Sequence, residues 1–311
     1  MSDDVGSPDS ARQSVGYIGL GHMGRALARR LVAGGDLRVF DKDGSAVEAL
    51  AATGATASGS PRDVASHADV VFLCLPTSDH VRAVLFGEDG VVEGAKPGTV
   101  IVDQTTGDPR ATRSMAAELA TRGVTLIDAP VSGGVSGAEA GTIAIMVGAD
   151  TATYARVRPV LAEISPNIFH TGDVGSGHVI KLVNNLLSHS QRLLSLEAMS
   201  LAAKNGVDPA RAVEVLVASG GRNAFLERRM NPVIRGDLAV GFTLGLAHKD
   251  VRLACQLGID SGVPMYYGNL SRETYQILVN EFGGDAEVDH AALFVDRVAE
   301  THLVPDGDRR N

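Results

Sequence analysis

The chain has 311 residues, a formal net charge of −9 at pH 7 and 44% hydrophobic residues. This length predicts two domains, or one domain with a large extension, and the hydrophobic content allows a large buried core. No run of five or six basic residues occurs. Together with the negative net charge, this argues against nucleic acids and anionic membrane surfaces as partners.

The N-terminal segment 1–13 is acidic and polar and lacks the apolar core of a signal peptide. It is predicted to be a disordered tail. No apolar run approaches the roughly 18 residues of a membrane span. The two cysteines, Cys74 and Cys255, lie far apart in apolar segments, which fits a reducing compartment. These features predict a cytoplasmic protein.

Short apolar runs alternate with helical patterns in segment 14–174, which is predicted to be one domain. Nearly continuous apolar strands separated by helices are typical of a doubly wound, mostly parallel sheet covered on both faces. We therefore predict an α/β domain. Its strands are predicted at 15–19, 37–41, 69–75, 99–103, 125–128 and 142–147, with helices at 23–33 and about 110–122.

The pattern changes after Gly172, where no convincing strand follows. Apolar residues recur at helical spacing, so segment 175–311 is predicted to be an all-helical domain. Its first helix is predicted to be long enough to join the two domains. The helices are predicted at 177–204, from Asp208-Pro209 onward, and at about 246–257, 265–282 and 290–299.

A glycine motif follows the first predicted strand and opens the first helix. In a dinucleotide-binding turn, the first glycine permits the tight turn, the second lets backbone approach a pyrophosphate, and the third allows close helix packing. The next strand ends in Asp41, whose carboxylate can accept both ribose hydroxyls and would repel a 2′-phosphate. NAD is therefore predicted over NADP, although the neighbouring Lys42 could partly favour NADP. The motif residues are Gly19, Leu20, Gly21, His22, Met23 and Gly24.

Two further segments end predicted strands where ligands of open α/β sheets bind, at Leu75-Pro76 and at Thr105-Thr106. A third, rich in small residues, spans 128–142. Successive small residues such as Gly133 and Gly134 leave amide groups exposed, and these can hold an anion with the help of the Ser132 hydroxyl.

Lys181 lies on the apolar helix that follows a glycine-rich turn. Burying an ammonium costs free energy unless it is paired or neutralised, which points to a role in proton transfer. Asn185 lies one turn further on the same helix face. His178 and His189 are eleven residues apart, which does not suit a metal pair on one helix, and no metal site is predicted.

These motifs, in this order over about 15–299, resemble the β-hydroxyacid dehydrogenase family, which includes 3-hydroxyisobutyrate dehydrogenase and tartronate semialdehyde reductase. The matching segments are 19–24, 128–142, 175–185 and Lys249-Asp250. The resemblance implies a Rossmann domain followed by an all-α domain, similar to 6-phosphogluconate dehydrogenase. It also implies a homodimer or homotetramer.

The resemblance implies a role for each matching residue. Lys181 would be the catalytic lysine, with Asn185 as its companion. Ser132, Gly133 and Gly134 would hold a substrate carboxylate. Thr106 and Lys249 would contact the nicotinamide end of the cofactor, and Asp250 would lie near the substrate.

The chain departs from the family pattern at two places. Gly107 stands where the family often has isoleucine, in a wall of the cofactor pocket. Many members carry an aromatic residue in the segment that shapes the substrate site, whereas here that segment, 219–225, reads Ser-Gly-Gly-Arg-Asn-Ala-Phe. We hypothesise that Arg222 or Asn223 binds a second polar or anionic group of the substrate.

The sequence thus predicts an NAD-dependent enzyme that interconverts a small 3-hydroxy acid and its semialdehyde or 3-oxo acid, with Lys181 as general acid and base. One alternative is a reductase of a related aldehyde, such as succinic semialdehyde, glyoxylate or a sulfonated aldehyde. Two others are an imine reductase and a non-catalytic nucleotide-sensing protein. Retention of Lys181, Asn185 and the glycine loop argues against these two.

Overall fold

The computed structural model describes residues 13–305. The chain divides into two compact units, with the division between Lys181 and Leu182. The predicted tail 1–13 lies, apart from Gln13, outside the described residues. None of the described helices combines the length and hydropathy needed to cross a membrane.

Within the described residues, the first unit contains one nine-stranded sheet in the order β3-β2-β1-β4-β5-β6-β8-β7, with β9 beside β8. Every residue of β1, β4 and β5 is buried, as expected of strands covered on both faces. The strands are β1 (Val15–Ile18), β2 (Leu37–Phe40), β3 (Thr56–Ala57), β4 (Val70–Leu73), β5 (Val100–Asp103), β6 (Thr125–Asp128), β7 (Val131–Ser132), β8 (Ala144–Gly148) and β9 (Ile168–Gly172).

The strands β1 to β6 are parallel, so their carboxyl ends share one edge. The chain passes from β1 to β2 and β3 on one side, and then returns to β4 on the other side of β1. The edge between β1 and β4 is therefore the topological switch point where ligands of such sheets bind.

The far side of the sheet differs from a purely parallel arrangement. β8 pairs antiparallel with β6 and β7, and parallel with β9. The strand predicted at 142–147 begins two residues later, at Ala144. The mostly parallel sheet is nevertheless confirmed.

The helices of the first unit include the two predicted ones, α1 and α6, each within two residues of its predicted ends. α6 begins where Asp108 accepts a hydrogen bond from the Arg110 amide and Pro109 occupies the first turn, a favourable helix start. The helices are α1 (His22–Val32), α2 (Gly44–Ala51), α3 (Pro61–Ser66), α4 (Ser78–Phe86), α5 (Val91–Gly94), α6 (Pro109–Ala120), α7 (Gly134–Ala140) and α8 (Thr151–Ile164).

The helix Ser176–Lys204 begins in the first unit and continues into the second. The second unit is helical, and no strand follows Gly172 among the residues described up to 305. Asp208 caps a helix with Pro209 in its first turn, as predicted. The helices are α9 (Ser176–Lys204), α10 (Pro209–Val217), α11 (Asn231–Ile234), α12 (Leu244–Ser261), α13 (Tyr266–Phe282) and α14 (Ala291–Ala299), with a π-helical turn at Leu226–Met230 and a 3₁₀ turn at Val288–His290. The predicted fold class is confirmed.

Candidate active site

The glycine turn between β1 and α1 has one position that is open and two that are crowded. Gly19 has a φ of +96°, and a Cβ there would lie 2.3 Å from the Cys74 carbonyl oxygen. A Cβ at Gly24 would lie 2.0 Å from the Gly19 carbonyl oxygen. At Gly21, no heavy atom lies within 4 Å of the Cβ position. The first and third glycines are therefore required by packing, whereas the second leaves space at the start of α1.

That space suits a pyrophosphate. Gly21 is the N-cap of α1 and makes no side-chain capping hydrogen bond. The first turn contains no acidic residue, so the positive end of the helix dipole is not offset there. The amides of a helix N-terminus next to an open glycine are what a dinucleotide diphosphate requires. The residues at this turn therefore fit NAD or NADP.

Asp41 follows β2 and organises the same turn. One of its carboxylate oxygens accepts a hydrogen bond of 2.5 Å from the Leu20 amide, and the other accepts one of 2.8 Å from the Asp43 amide. Asp43 caps α2, and the hydrogen bond from the Ser45 hydroxyl lowers the pKa of its carboxyl. Two carboxylates therefore follow β2, while Lys42 between them is exposed.

The segments after β4 and β5 are joined to each other. The Leu75 amide donates a hydrogen bond of 3.1 Å to the Thr105 hydroxyl. Pro76 is exposed, and Thr106 is half-buried. Leu75, Pro76 and Thr106 thus lie just beyond the carboxyl ends of β4 and β5, as predicted.

Gly133 and Gly134 give the loop after β7 its shape. Their φ angles are +144° and +71°, a conformation that side chains with a Cβ rarely adopt. Both glycines are exposed, and Ser132 beside them is half-buried. The loop therefore presents backbone and a hydroxyl close together, an arrangement that can bind an anion.

The helix α9 turns one polar face inward. His178, Lys181, Asn185, His189 and Arg192 follow each other at intervals of three or four residues, and all are buried. Lys181 is 9% exposed and Asn185 is 6% exposed. The predicted pair therefore lies on one buried face of the helix.

Asp128 fixes the start of this helix. Its carboxylate accepts hydrogen bonds of 2.5 Å from the Gly175 amide and 2.7 Å from the His178 amide. A Cβ at Gly177 would lie 2.9 Å from the same carboxylate, and one at Gly148 would lie 2.5 Å from it. The glycines therefore let backbone close around a buried carboxylate. The sequence motif 128–142 includes Asp128 but does not indicate this role.

Two neighbouring side chains, Asp250 and Asn184, orient the amide of Asn185. Its amide nitrogen donates a hydrogen bond of 2.6 Å to Asp250, and its amide oxygen accepts one of 2.9 Å from Asn184. Lys249 lies 3.2 Å from the other Asp250 oxygen. Asp250 is only 1% exposed. Asp250 is therefore buried and Lys249 half-buried, and the Asp250 carboxylate contacts both Asn185 and Lys249.

A second buried carboxylate lies in the same unit and was not predicted. Asp289 accepts hydrogen bonds of 2.9 Å from Arg192 and 2.8 Å from Arg229. Arg192 also approaches the His189 ring at 3.2 Å. This cluster stabilises the helical unit beside Asn185. No sequence spacing indicated it.

The segment predicted to read a second substrate group has other contacts. Arg222 is exposed and forms an ion pair with Glu227. The Asn223 amide oxygen accepts hydrogen bonds from the Phe225 and Leu226 amides, and its nitrogen donates to Ser195. The Asn223 side chain therefore binds the amides that lead into the π-helical turn, and of the two residues only Arg222 is exposed.

Two family models match consecutive parts of the chain. One, described as the NAD binding domain of 6-phosphogluconate dehydrogenase, matches residues 14–172. The other, described as NAD-binding of NADP-dependent 3-hydroxyisobutyrate dehydrogenase, matches residues 175–295.

Individual proteins agree with this result. The 2-(hydroxymethyl)glutarate dehydrogenase of Eubacterium barkeri is 41% identical over 253 residues, which cover 81% of this chain and 84% of that protein. The NAD-dependent L-serine dehydrogenase of Pseudomonas aeruginosa is 37% identical over 289 residues, covering 90% and 96%. A solved structure of Mycobacterium tuberculosis 3-hydroxyisobutyrate dehydrogenase with L-serine superposes with a TM-score of 0.83 at 30% identity, covering 92% of this chain and 99% of that one. The chain therefore belongs to the 3-hydroxyisobutyrate dehydrogenase family of β-hydroxyacid dehydrogenases and is an NAD(P)-dependent oxidoreductase of the 3-hydroxyacid dehydrogenase type.

Proposed function

We propose that this chain uses NAD to interconvert a small 3-hydroxy acid and its semialdehyde, with Lys181 as the general acid and base. The observation that carries the proposal is the burial of Lys181 on α9, one turn before Asn185. A helix whose start is held by the Asp128 carboxylate presents this lysine. A buried, positioned amine is suited to exchange a proton with a substrate hydroxyl.

In the oxidative direction, neutral Lys181 accepts the proton of the C3 hydroxyl. In the reductive direction, the ammonium returns that proton to the forming alkoxide. NAD⁺ held at the turn of Gly19, Gly21 and Gly24 would supply the hydride acceptor for C3. Asn185 donates to Asp250 and accepts from Asn184, so its amide is fixed in one orientation. We propose that Asn185 orients the substrate and that Asp250 acts on the reaction through Asn185 and Lys249.

The loop 132–134 is the proposed carboxylate site. The left-handed backbone at Gly133 and Gly134 and the nearby Ser132 hydroxyl support this role. Binding the carboxylate there would fix C3 of a 3-hydroxy acid at a set distance from the loop. Orientation of this kind accounts for a large part of enzymatic rate enhancement.

NAD is proposed over NADP because Asp41 and Asp43 both follow β2, where the adenosine ribose binds in such sheets. A 2′-phosphate would meet two carboxylates there, whereas ribose hydroxyls can donate to Asp41. Leu75, Pro76 and Thr106 are proposed to line the remainder of the cofactor, with Lys249 at its nicotinamide end by motif match.

The substrate itself stays open within the class of 3-hydroxy acids. The Eubacterium barkeri relative is named for a substrate with a glutarate skeleton, which carries a second carboxylate. This favours the hypothesis that Arg222 binds a second anionic group, which would require Arg222 to leave Glu227.

A reductase of a related aldehyde is the second candidate. The cytoplasmic location also stays a prediction.

A substrate panel tests the proposed activity and the cofactor preference together. We expect NADH formation, followed by absorbance, with at least one of 3-hydroxyisobutyrate, L-serine and 2-(hydroxymethyl)glutarate, and a higher kcat/KM with NAD than with NADP. A clear NADP preference would contradict the role of Asp41. Turnover of a sulfonated aldehyde or succinic semialdehyde alone would favour the aldehyde reductase. No turnover of any of them, with NADH bound, would favour a nucleotide-sensing protein.

We also propose that the chain forms a homo-oligomer through the outward face of α9. Val183, Leu187, Leu194 and Leu201 on this face are 45–67% exposed. With Gln191 and Ala198 they form an uncharged stripe that alternates three- and four-residue steps from Leu187 onward. Such a stripe is complementary to an identical helix, as in coiled-coil seams. A second copy of the chain is therefore the proposed partner.

Replacing Leu194 and Leu201 with glutamate should lower the molar mass measured by light scattering from that of an oligomer to that of a monomer. Like charges in the seam would repel across it. Val298→Glu is the control, because Val298 on α14 is 63% exposed and lies off the stripe. A monomeric wild type, or an unchanged mass in the double variant, would rule out this interface.

A further inference from the structure

Gly107 stands where the family often has isoleucine, and the space around it explains this departure. Its φ does not lie in the left-handed region, so the backbone there does not require glycine. A Cβ would, however, lie 2.7 Å from the Ser78 hydroxyl oxygen and 3.2 Å from Cε1 of His178. The space next to Gly107 that a side chain would need is therefore taken by the Ser78 hydroxyl and the His178 ring together.

His178 is fully buried and makes a polar contact with each ring nitrogen. Nε2 lies 2.7 Å from the Thr105 carbonyl oxygen, and Nδ1 lies 2.9 Å from the Thr112 hydroxyl. Because a carbonyl oxygen can only accept, Nε2 carries a proton and donates it. The ring thereby binds both ends of the segment that connects β5 to the first turn of α6.

The same segment is held from the sheet side. The Thr105 amide donates a hydrogen bond of 2.9 Å to Asp103 at the end of β5. The His178 amide donates to Asp128, the residue that fixes the start of α9. Thr105 is thus fixed at its amide by Asp103 and at its carbonyl by His178.

Two functional residues lie next to this connection. Thr105 precedes Thr106, which is proposed to contact the nicotinamide end of the cofactor. His178 precedes Lys181 by three residues, which places both on the same face of α9. The His178 imidazole therefore joins α9, which carries Lys181, to the loop that carries Thr106.

We propose that His178 is a positioning residue. It holds Lys181 at a fixed position relative to Thr106, so that the groups for proton transfer and for hydride transfer are aligned with each other. The inference rests on the proposed function of Lys181. In this chain, His178 on α9 together with Gly107 would take the place of the isoleucine side chain that the family often has at this position of the loop. A misplacement of about 1 Å can cost roughly 10²-fold in rate.

The test compares His178→Ala and His178→Gln with the wild type, using the hydroxy acid with the highest kcat/KM in the panel above. We expect kcat to fall roughly 10²-fold in His178→Ala, with little change in KM or in NADH affinity measured by fluorescence. Glutamine can still donate to the Thr105 carbonyl, so His178→Gln should lie between the two. His67→Ala, which removes an exposed histidine of the same unit, should retain full kcat.

A double-mutant cycle with Gly107→Ala separates positioning from stability. In the wild type, the added methyl would press against both Ser78 and His178 and should lower kcat. In the His178→Ala background only the Ser78 contact remains, so the same change should lower kcat less. Such non-additivity is expected of residues in contact.

A wild-type kcat in both His178 variants, with only a lower melting temperature, would overturn the inference. If His178→Ala does not yield folded protein, His178→Gln decides alone. Failure of the proposed function would be distinct from this result, because it would appear as undiminished turnover in a Lys181 variant.

Discussion

Replacing Lys181 with methionine should abolish turnover while NADH still binds. Methionine fills a similar volume at this buried position of α9 but cannot carry a proton. Loss of general acid and base catalysis alone is worth about 10²–10⁴-fold in rate. Absorbance of NADH gives kcat, and a fluorescence titration gives the NADH affinity of the same variant.

Two further variants separate proton transfer from charge and from damage to the helix. Lys181→Arg keeps a positive charge that does not deprotonate in proteins, so it should also be inactive in the oxidative direction. Lys204→Met changes an exposed lysine at the other end of α9, which donates to the Ala299 and Glu300 carbonyls. It should retain kcat. Near wild-type turnover in Lys181→Met would remove the lysine from the mechanism.

The parts of the fold that could be predicted from sequence are those with a strong periodic signal. β1, β4 and β5 are buried at every position, so each appears in the sequence as an apolar run, which in β5 ends at Asp103. α9 repeats its pattern over 29 residues, and both of its ends were predicted within one residue. Two-residue strands such as β3 and β7 carry no periodicity, and they were missed.

The candidate site was predictable where its residues are neighbours in sequence. The glycine turn, the loop 132–134 and the pair Lys181 and Asn185 are local motifs. The contacts that hold these motifs in place are not local. Asp128 binds the start of α9 across 47 residues, and Asp250 binds Asn185 across 65. Sequence spacing carries no information on such pairs, because it is the fold that brings them together.

Gly107 shows how a departure at one position can be understood only in three dimensions. In the sequence, the loss of a side chain there leaves one wall of the cofactor pocket undefined. In the structure, the Ser78 hydroxyl and the His178 ring occupy the space. Gly107 and His178 are 71 residues apart in the sequence, and neither has an unusual local pattern. The compensation is therefore visible only as a short distance between a missing Cβ and a ring atom.

The glycines of the dinucleotide turn should respond to substitution in opposite ways. Gly21→Val should lower the melting temperature only slightly, because valine is a poorer N-cap than glycine, but it should weaken NADH binding strongly. Its side chain would project into space that no protein atom occupies within 4 Å, and its backbone angles of −57° and −177° are open to valine. The valine side chain would keep the diphosphate away from the amides at the start of α1. The loss of two hydrogen bonds to this charged group would cost about 3–6 kcal/mol of binding free energy, or roughly 10²- to 10⁴-fold in NADH affinity.

Gly24→Ala should instead destabilise the fold, because its Cβ would lie 2.0 Å from the Gly19 carbonyl oxygen. That carbonyl belongs to the turn itself and cannot rotate away as a side chain could. Overpacking of this kind costs about 3 kcal/mol, measurable by urea unfolding. NADH binding to the folded fraction should be weakened less than in Gly21→Val. Unchanged NADH affinity in Gly21→Val would show that the diphosphate does not approach α1, since packing gives no other reason for glycine at that position.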